Sequence, residues 1–183
     1  MGVNLLPRRK RELRGRMKSR LALLRPDESP FLAERLRERV ALWVRCSPGL
    51  WGTYRPMAQE ADPLLQNPED GVEWCFPRLT ATGMEFARGD QFERSLQGFE
   101  QPVSSAPRVS LDEMTGVLVP GLAFDRQGGR LGRGRGYYDR ALEGYRGMKV
   151  GIAFSCQILE RIPLEAWDLR MDAIITEQFV IKL

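Results

Sequence analysis

The chain has 183 residues and a net charge of only +4, from 28 Lys or Arg and 24 Asp or Glu residues. That length suits one domain spanning 1–183 with a sizeable core, and acids spread along the chain make the basic balance a mild signal for polyanion binding. The lack of histidine and of any C-x-x-C pair excludes the usual zinc sites and a His-based catalytic triad.

The sequence also indicates the cellular compartment in which we expect the protein. No apolar run is long enough to span a bilayer, and the Arg/Lys-rich start is not followed by the apolar region of a signal peptide. Cys46, Cys75 and Cys156 are far apart and flanked by apolar residues. We therefore expect a cytoplasmic protein with reduced, buried thiols, whose chemistry comes from Arg, Lys, carboxylates, Tyr and a bound metal.

The first predicted element is a basic amphipathic helix from about Pro7 to Leu24. Its apolar face carries Leu13, Met17, Leu21 and Leu24 at helical spacing. Lys10, Arg14 and Lys18 repeat every four residues along another line. The spacing alone leaves two interpretations open: a solvated basic face, or a row in which Lys10 and Arg14 reach nucleotide phosphates.

A second helix is predicted from Pro30 to about Cys46, with Ser29 as its N-cap. Beyond it, apolar and β-rich runs alternate with turns and helical patterns. The predicted strands are Gly49–Tyr54, Val72–Pro77, Val117–Val119, Val150–Phe154, Ala173–Thr176 and Gln178–Leu183. Residues from Ser104 to Asp112 are predicted to form a polar loop. This alternation indicates an α/β fold with a largely parallel sheet covered on both faces.

The segment that follows the first strand, R-P-M-A-Q-E-A-D-P, contains one carboxylate of interest. Glu60 lies just past the strand end, at the predicted opening of a helix. There it can act as a plain N-terminal charge that interacts favourably with the helix dipole. It can also accept hydrogen bonds from the N–H groups of a flat heterocycle. The residues alone favour the first interpretation.

The most informative stretch runs from Val117 to Leu142. A short apolar strand is followed by glycines that alternate with Arg130, Arg133 and Arg135, and then by a helical pattern from Tyr137 towards Tyr145. Glycine lets the backbone approach a ligand, arginine matches phosphate oxygens, and a strand–loop–helix start holds anions on backbone N–H groups. We therefore predict a phosphate site here, with Asp139 placed to meet a cation carried by the phosphates.

Known phosphate-binding motifs do not describe this loop. It lacks the Gly-Lys-Ser/Thr ending of a Walker A loop, and its glycine spacing differs from the Rossmann fingerprint. A flexible Gly/Arg segment that binds RNA stays open as an alternative. The strand before the loop and the helix after it argue against such disorder.

The segments P-G-L-A-F-D and R-L-G-R-G-R-G-Y-Y-D-R closely resemble the signature of the 5-formyltetrahydrofolate cyclo-ligases, also called methenyltetrahydrofolate synthetases. The segment K-R-E-L-R, the strand ending G-I-A-F, and I-P-L-E-A-W-D extend this resemblance from Lys10 to Glu177. It implies a three-layer α/β/α fold. It also implies the ATP-dependent conversion of 5-formyltetrahydrofolate to 5,10-methenyltetrahydrofolate, with release of ADP and phosphate.

The resemblance also implies roles for individual residues. The implied ATP-binding set is Lys10, Arg14, Arg130, Leu131, Gly132, Arg133, Gly134, Arg135, Gly136, Tyr137 and Tyr138. The implied substrate-binding set is Tyr54, Met57, Glu60 and Tyr138. Arg133, Arg135 and Tyr138 are the catalytic candidates, although Tyr137 and Tyr138 can equally belong to the core. Arg135 stands where family members often carry Lys or Gly, and Trp167 where many carry His.

For the metal, Asp139 and Asp172 are the candidate Mg²⁺ ligands, since Mg²⁺ prefers oxygen ligands and keeps several waters. A structural cap remains the alternative for Asp172. The expected partners are ATP and 5-formyltetrahydrofolate, with no nucleic acid and no membrane, in a monomer or homodimer. Two other functions stay open: a non-enzymatic RNA- or nucleotide-binding protein, and a divergent homologue without folate turnover.

Overall fold

The computed structural model of the protein describes residues 5–64 and 71–183. Its helices are α1 (Leu6–Leu24), α2 (Pro30–Arg45) and α3 (Tyr137–Ala141). Its strands are β1 (Gly49–Gly52), β2 (Val72–Leu79), β3 (Met84–Ala87), β4 (Phe92–Arg94), β5 (Glu100–Pro102), β6 (Arg108–Val109), β7 (Met114–Pro120), β8 (Ala123–Asp125), β9 (Arg130–Leu131), β10 (Met148–Ile152), β11 (Ile158–Leu159), β12 (Ala173–Ile175) and β13 (Val180–Lys182). None of the helices in these two ranges is long and apolar enough to cross a membrane.

Most of the strands form one sheet in the order β13-β12-β10-β7-β1-β2-β3-β6. The neighbours from β12 to β2 pair in parallel, whereas β13, β3 and β6 pair antiparallel with their neighbours. Strands β11, β8 and β9 form a small second sheet, and β4 and β5 form a hairpin. The largely parallel α/β fold predicted from the sequence is therefore confirmed.

Helix α2 covers one face of the main sheet. Ser29 caps it, with its Oγ accepting a hydrogen bond from Leu32 N at 3.5 Å, and Pro30 occupies the first turn, where a missing N–H costs nothing. Leu36, Val40 and Val44 recur at helical spacing and pack in one cluster with strand residues such as Trp51 and Leu118. Both the cap and the buried stripe follow from the sequence pattern.

The other face is covered by α3 and by the region that leads to the small sheet. Val117 and Val119 point to this side, opposite to Leu118, and pack with Phe124 and Leu142. Helix α1 lies further out, because its buried Met17 and Leu21 pack with residues of β8 and β9. Helix α1 is thereby placed beside the Gly/Arg segment, which begins in β9.

Several local predictions are wrong for identifiable reasons. Leu24 is exposed, because α1 ends there and Arg25 takes a left-handed conformation with φ 42°. Helix α3 stops at Ala141 instead of reaching Tyr145, and Gly144 just beyond it has φ 72°. Among the thiols, which are all free, Cys46 is exposed, Cys156 is partly buried and only Cys75 is fully buried.

Two further corrections concern the loops. The predicted polar loop from Ser104 to Asp112 contains β6, which pairs with β3 through Phe86 and Val109. No helix opens at Glu60, since residues 53–64 are irregular apart from one turn. The carboxylate of Glu60 is therefore not a helix-dipole charge, and its role must be sought among its contacts.

Candidate active site

A cavity of about 830 Å³ opens at the carboxyl ends of the parallel strands, where ligands collect in sheets of this kind. Its walls come from α1, the loop after β1, the turn between β4 and β5, the loop after β9, α3 and the segment 165–168. Pro120 and Gly121, at the end of β7, form part of the lining. The predicted phosphate loop and the loop that carries Glu60 thus face one space.

The turn that precedes Arg130 in the chain is organised by Asp125. Its buried carboxylate accepts hydrogen bonds from Gln127 N at 3.0 Å, from Gly129 N at 2.8 Å and from Ile162 N at 2.8 Å. Gly128 has φ 82°, a conformation that glycine adopts without strain. Here the final Asp of P-G-L-A-F-D satisfies backbone donors, which makes the turn rigid and leaves the carboxylate unavailable to a ligand.

The loop at 132–136 has the opposite character. Gly134 and Gly136 have φ 99° and 64°, and the side chains of Arg133 and Arg135 are exposed at the cavity. Arg14 of α1 donates from Nε to Gly132 O at 2.9 Å. A Cβ atom on Gly134 would lie 3.3 Å from Arg14 Cζ. Arg14 of the basic row on α1 therefore contacts the loop directly.

Arg130 precedes this loop and is buried beneath it. It donates from Nη1 to Pro120 O at 3.0 Å, and its Nη2 lies 3.4 Å from Asp139 Oδ2. Its Cζ is 5.4 Å from the centre of the Tyr138 ring. Its Nε has no hydrogen-bond partner within the described chain. Arg130 thus orients Asp139 and Tyr138, while its buried Nε makes no hydrogen bond within the described residues.

Glu60 and Arg133 form a direct contact between two parts of the predicted site. Arg133 Nε lies 2.7 Å from Glu60 Oε1, and Arg133 Nη2 donates to Ala58 O at 3.2 Å. Glu60 Oε2 accepts from Met57 N at 2.9 Å. Met57 and Glu60 both line the cavity. The phosphate-loop arginine and the carboxylate expected to bind substrate are therefore neighbours in space, although 73 positions separate them.

The tyrosines have different environments. Tyr54 is only 3% exposed, donates to Ala61 O at 2.6 Å and lies outside the lining of the cavity. Tyr137 and Tyr138 do line the cavity. Burial, with a smaller contribution from the charge of Glu60, raises the pKa of both Tyr54 and Tyr138. Tyr138 is therefore a neutral hydroxyl at physiological pH, able to donate a hydrogen bond but not to act as a base.

Lys10 is buried beside two carboxylates that the sequence prediction did not include. Its Nζ lies 2.9 Å from Glu165 Oε2 and also pairs with Asp168 Oδ2. All three residues line the cavity. The spacing of the two acids in E-A-W-D, three residues apart, is a sequence signal that both carboxylates can lie on one side of a turn. Their partner lies 155 or more positions away, so the pairing itself was not visible in the sequence.

The structure contradicts the pairing of Asp139 with Asp172 as metal ligands. Asp139 lines the cavity, and its Oδ1 accepts from Leu169 N at 3.1 Å. Asp172 lies before β12 and pairs with Lys149 Nζ at 2.8 Å, near the start of β10. Because the strands are parallel, Asp172 sits at the amino-terminal edge of the sheet, away from the cavity. Its carboxylate also accepts from Lys149 N at 2.8 Å, which is the structural role left open for it.

The fold and the cavity define the class of protein: an α/β protein with a largely parallel sheet and an arginine-rich cavity at its carboxyl edge, where small molecules bind in such sheets. The chain belongs to the 5-formyltetrahydrofolate cyclo-ligase family, whose model matches residues 7–177. This membership confirms the resemblance found in the Gly/Arg signature.

Individual relatives agree with the family assignment. The chain is 41% identical to the 5-formyltetrahydrofolate cyclo-ligase of Escherichia coli K12 over 69 residues, which cover 36% of this chain and 38% of that relative. It is 31% identical to a probable 5-formyltetrahydrofolate cyclo-ligase of Caenorhabditis elegans over an alignment of 192 positions, gaps included, that covers 92% of each chain. The matched part is thus little more than a third of the bacterial relative but nearly all of the nematode one.

Solved structures show the same fold. The NMR structure of Aquifex aeolicus 5,10-methenyltetrahydrofolate synthetase superposes with a TM-score of 0.75 at 31% identity, covering 93% of each chain. A 5,10-methenyltetrahydrofolate synthetase from Mycoplasma pneumoniae superposes with a TM-score of 0.69 at 19% identity, over 90% of this chain and 98% of that one. The second similarity supports the fold alone.

Proposed function

We propose that the protein is an ATP-dependent 5-formyltetrahydrofolate cyclo-ligase that produces 5,10-methenyltetrahydrofolate, ADP and phosphate. The observation that carries this proposal is the contact between Glu60 and Arg133, with 2.7 Å between Oε1 and Nε. It places a carboxylate suited to a pterin next to an arginine suited to a phosphate, in one cavity. An enzyme that transfers a phosphoryl group to a folate requires that proximity.

The chemistry suits the residues that line the cavity. A formamide carbonyl is a poor electrophile, so its oxygen first accepts the γ-phosphoryl group of ATP, with ADP as the leaving group. The neighbouring arylamine nitrogen then attacks the activated carbon, loses its proton, and closes the ring as phosphate leaves. Neither step needs a covalent bond to the protein, so the absence of histidine is no obstacle.

On the nucleotide side, the loop at 132–136 would hold the phosphates. Arg14 holds the loop against α1 through Gly132 O, and Arg133 and Arg135 project into the cavity. Guanidinium groups neutralise the charge that spreads over a transferring phosphoryl group. Arg130 acts from below, because its contact with Asp139 positions that carboxylate. The roles of Lys10, Leu131, Gly136 and Tyr137 in ATP binding remain part of the proposal.

On the folate side, Glu60 would accept hydrogen bonds from the pterin N–H groups, and Met57 would supply an apolar wall. Tyr138 reaches the same cavity as a neutral donor. Tyr54 would act indirectly, because its hydroxyl fixes Ala61 O, one residue beyond Glu60. We therefore assign substrate contact to Met57, Glu60 and Tyr138, and positioning to Tyr54.

Mg²⁺ fits the acidic residues of the cavity. Asp139 and Asp168 both line it, and Leu169 N binds Asp139 Oδ1, so the two carboxylates belong to adjacent segments. No cluster of three or more ligating side chains occurs in the described ranges, so Mg²⁺ would have to complete its shell with phosphate and water oxygens. When bound, Mg²⁺ would neutralise phosphate charge. We propose Asp139 and Asp168 as its holders.

The test is direct. Purified protein mixed with 5-formyltetrahydrofolate, ATP and Mg²⁺ should show the rising absorbance of the methenyl product, together with stoichiometric ADP and phosphate. Omitting ATP should abolish the signal. If both ligands bind but no product forms, the chain is a homologue without turnover. If RNA binds with a steep salt dependence and folate does not bind, the proposal is wrong.

A further inference from the structure

The turn at 165–168 presents an unusual side chain to the cavity. Trp167 is 70% exposed and lines the cavity. Within residues 5–64 and 71–183, no hydrogen bond or ring contact engages its indole. A large amphipathic ring left open to solvent at the mouth of a site is a surface on which a flat ligand can stack.

This turn is held rigidly. Glu165 N donates to Asp168 Oδ2 at 2.6 Å, and Asp168 N donates to Glu165 O at 3.1 Å. The buried Lys10 then ties both carboxylates to α1. Because the residues on either side of it are fixed, the indole is presented at a defined place, and little backbone entropy is lost when a ligand stacks on it.

Contacts along the wall of the cavity relate the turn that carries Trp167 to the Gly/Arg loop and to Glu60. At one end, Glu60 pairs with Arg133 of the Gly/Arg loop. The loop is bound through Gly132 O by Arg14 of α1. One turn earlier on the same helix, Lys10 is bound by the turn that carries Trp167. In this series of contacts, the Gly/Arg loop and α1 separate the turn that carries Trp167 from Glu60.

We propose that Trp167 is a specificity-determining residue on which the purine base of the nucleotide stacks. The inference rests on the proposed function, because it requires the triphosphate to occupy the loop at 132–136. A triphosphate that directs its terminal group towards Arg133 and Glu60 directs its nucleoside the other way, towards α1 and the turn. Stacking on an indole favours any purine over a smaller pyrimidine and does not read the exocyclic groups of the base.

The other large exposed apolar residues named here do not offer an equivalent stacking surface in the cavity. Leu23, Phe31 and Leu42 are also exposed, but they lie on α1 or α2 outside the cavity lining. Leu96 does line the cavity, from the turn between β4 and β5, but an aliphatic side chain offers no ring for stacking. Phe31 provides a matched control, since it is a similarly exposed aromatic residue remote from the site.

The test compares nucleotides with a ligand that has phosphates and no base. Binding of ATP, GTP, CTP and inorganic tripolyphosphate is measured by calorimetry at fixed Mg²⁺, without folate, for the wild type, Trp167→Ala, Trp167→Phe and Phe31→Ala. We expect Trp167→Ala to weaken ATP and GTP binding about tenfold, the loss of one base stack. Tripolyphosphate binding should change less than twofold, and the preference for purines over CTP should shrink. Trp167→Phe should retain most of the affinity, and Phe31→Ala all of it.

Fluorescence gives a second readout. ATP, but not tripolyphosphate, should quench the tryptophan emission of the wild type, and the quenching should vanish in Trp167→Phe. Equal weakening of ATP and tripolyphosphate, or unchanged ATP binding, would overturn the inference. So would a loss of 5-formyltetrahydrofolate affinity with ATP affinity intact, because the indole would then serve the folate. If the wild type binds neither ATP nor tripolyphosphate, the proposed function itself fails, which is a distinguishable result.

Discussion

Two glycine-rich turns lie within a few residues of each other, at 125–129 and at 132–136, and they have opposite uses. In the first, the buried Asp125 carboxylate accepts from three backbone N–H groups, so the turn is satisfied internally. In the second, Arg133 and Arg135 line the cavity, and the loop is held from outside, by Arg14 of α1 through Gly132 O. Glycine content alone does not tell a scaffold turn from a candidate binding loop. The difference between these two turns is that the first contains a carboxylate, Asp125, that accepts from backbone N–H groups.

The largest effect on stability is expected from breaking the first turn. Asp125→Ala leaves two buried donors, Gly129 N and Ile162 N, and the part-buried Gln127 N without their charged acceptor, and each buried loss costs about 1–3 kcal/mol. We expect the free energy of unfolding in urea to fall by about 3 kcal/mol or more. Arg133→Ala, in the second turn, breaks one ion pair with Glu60 and should lower it by only about 1 kcal/mol. A loss below about 1 kcal/mol for Asp125→Ala would contradict the scaffold role.

Turnover should respond in the reverse order, falling for a substitution in the second turn and staying unchanged for one in the first. Arg133→Ala removes one preorganised donor from the transferring phosphoryl group, which typically costs about 100-fold in turnover. The matched control is Arg126→Ala, because Arg126 is an exposed arginine of the first turn that packs over Phe179, outside the cavity. Its turnover should stay within twofold of the wild type. Equal turnover for both variants, measured by methenyl absorbance, would remove Arg133 from the mechanism.

The same division into scaffold and site separates the carboxylates. Asp139→Asn and Asp168→Asn should raise the Mg²⁺ concentration for half-maximal activity, by about tenfold for the loss of one oxygen ligand that completes the site. Asp172→Asn should leave it unchanged, since Asp172 pairs with Lys149 at the other edge of the sheet. A titration of activity against Mg²⁺ for the three variants decides between them. A shift confined to Asp172→Asn would restore the assignment made from the sequence.

The sequence predicted the parts of the site whose neighbours are close along the chain. The strand before Gly121, the loop of alternating Gly and Arg, and the start of α3 at Tyr137 all lie where the pattern indicated. Arg14 reaches the loop as its place on α1 suggested. These features depend on local spacing and on the rule that ligands collect at the carboxyl ends of parallel strands.

The features that the sequence did not predict depend on contacts made only in the folded chain. Asp172 was placed at the site although it precedes its strand, which puts it at the opposite edge. Lys10 was predicted as a phosphate ligand, but its ion pairs with Glu165 and Asp168 were not part of the prediction. Helix spacing identifies which side chains share a face, but it does not identify a partner from a distant segment.

The last contrast concerns the ion pair between Glu60 and Arg133 of the second turn. Glu60→Gln removes the negative charge beside Arg133 while keeping the acceptor oxygen and the shape. Folate binding should weaken about tenfold, because a carboxylate that accepts from the pterin N–H groups is replaced by a neutral amide. ATP binding should change less than twofold or tighten slightly, since Arg133 is released to the phosphates. Separate calorimetric titrations measure the two affinities, with Glu160→Gln, outside the cavity, as the control. Weakened ATP binding with intact folate binding would show that Glu60 orients Arg133 and does not bind the pterin.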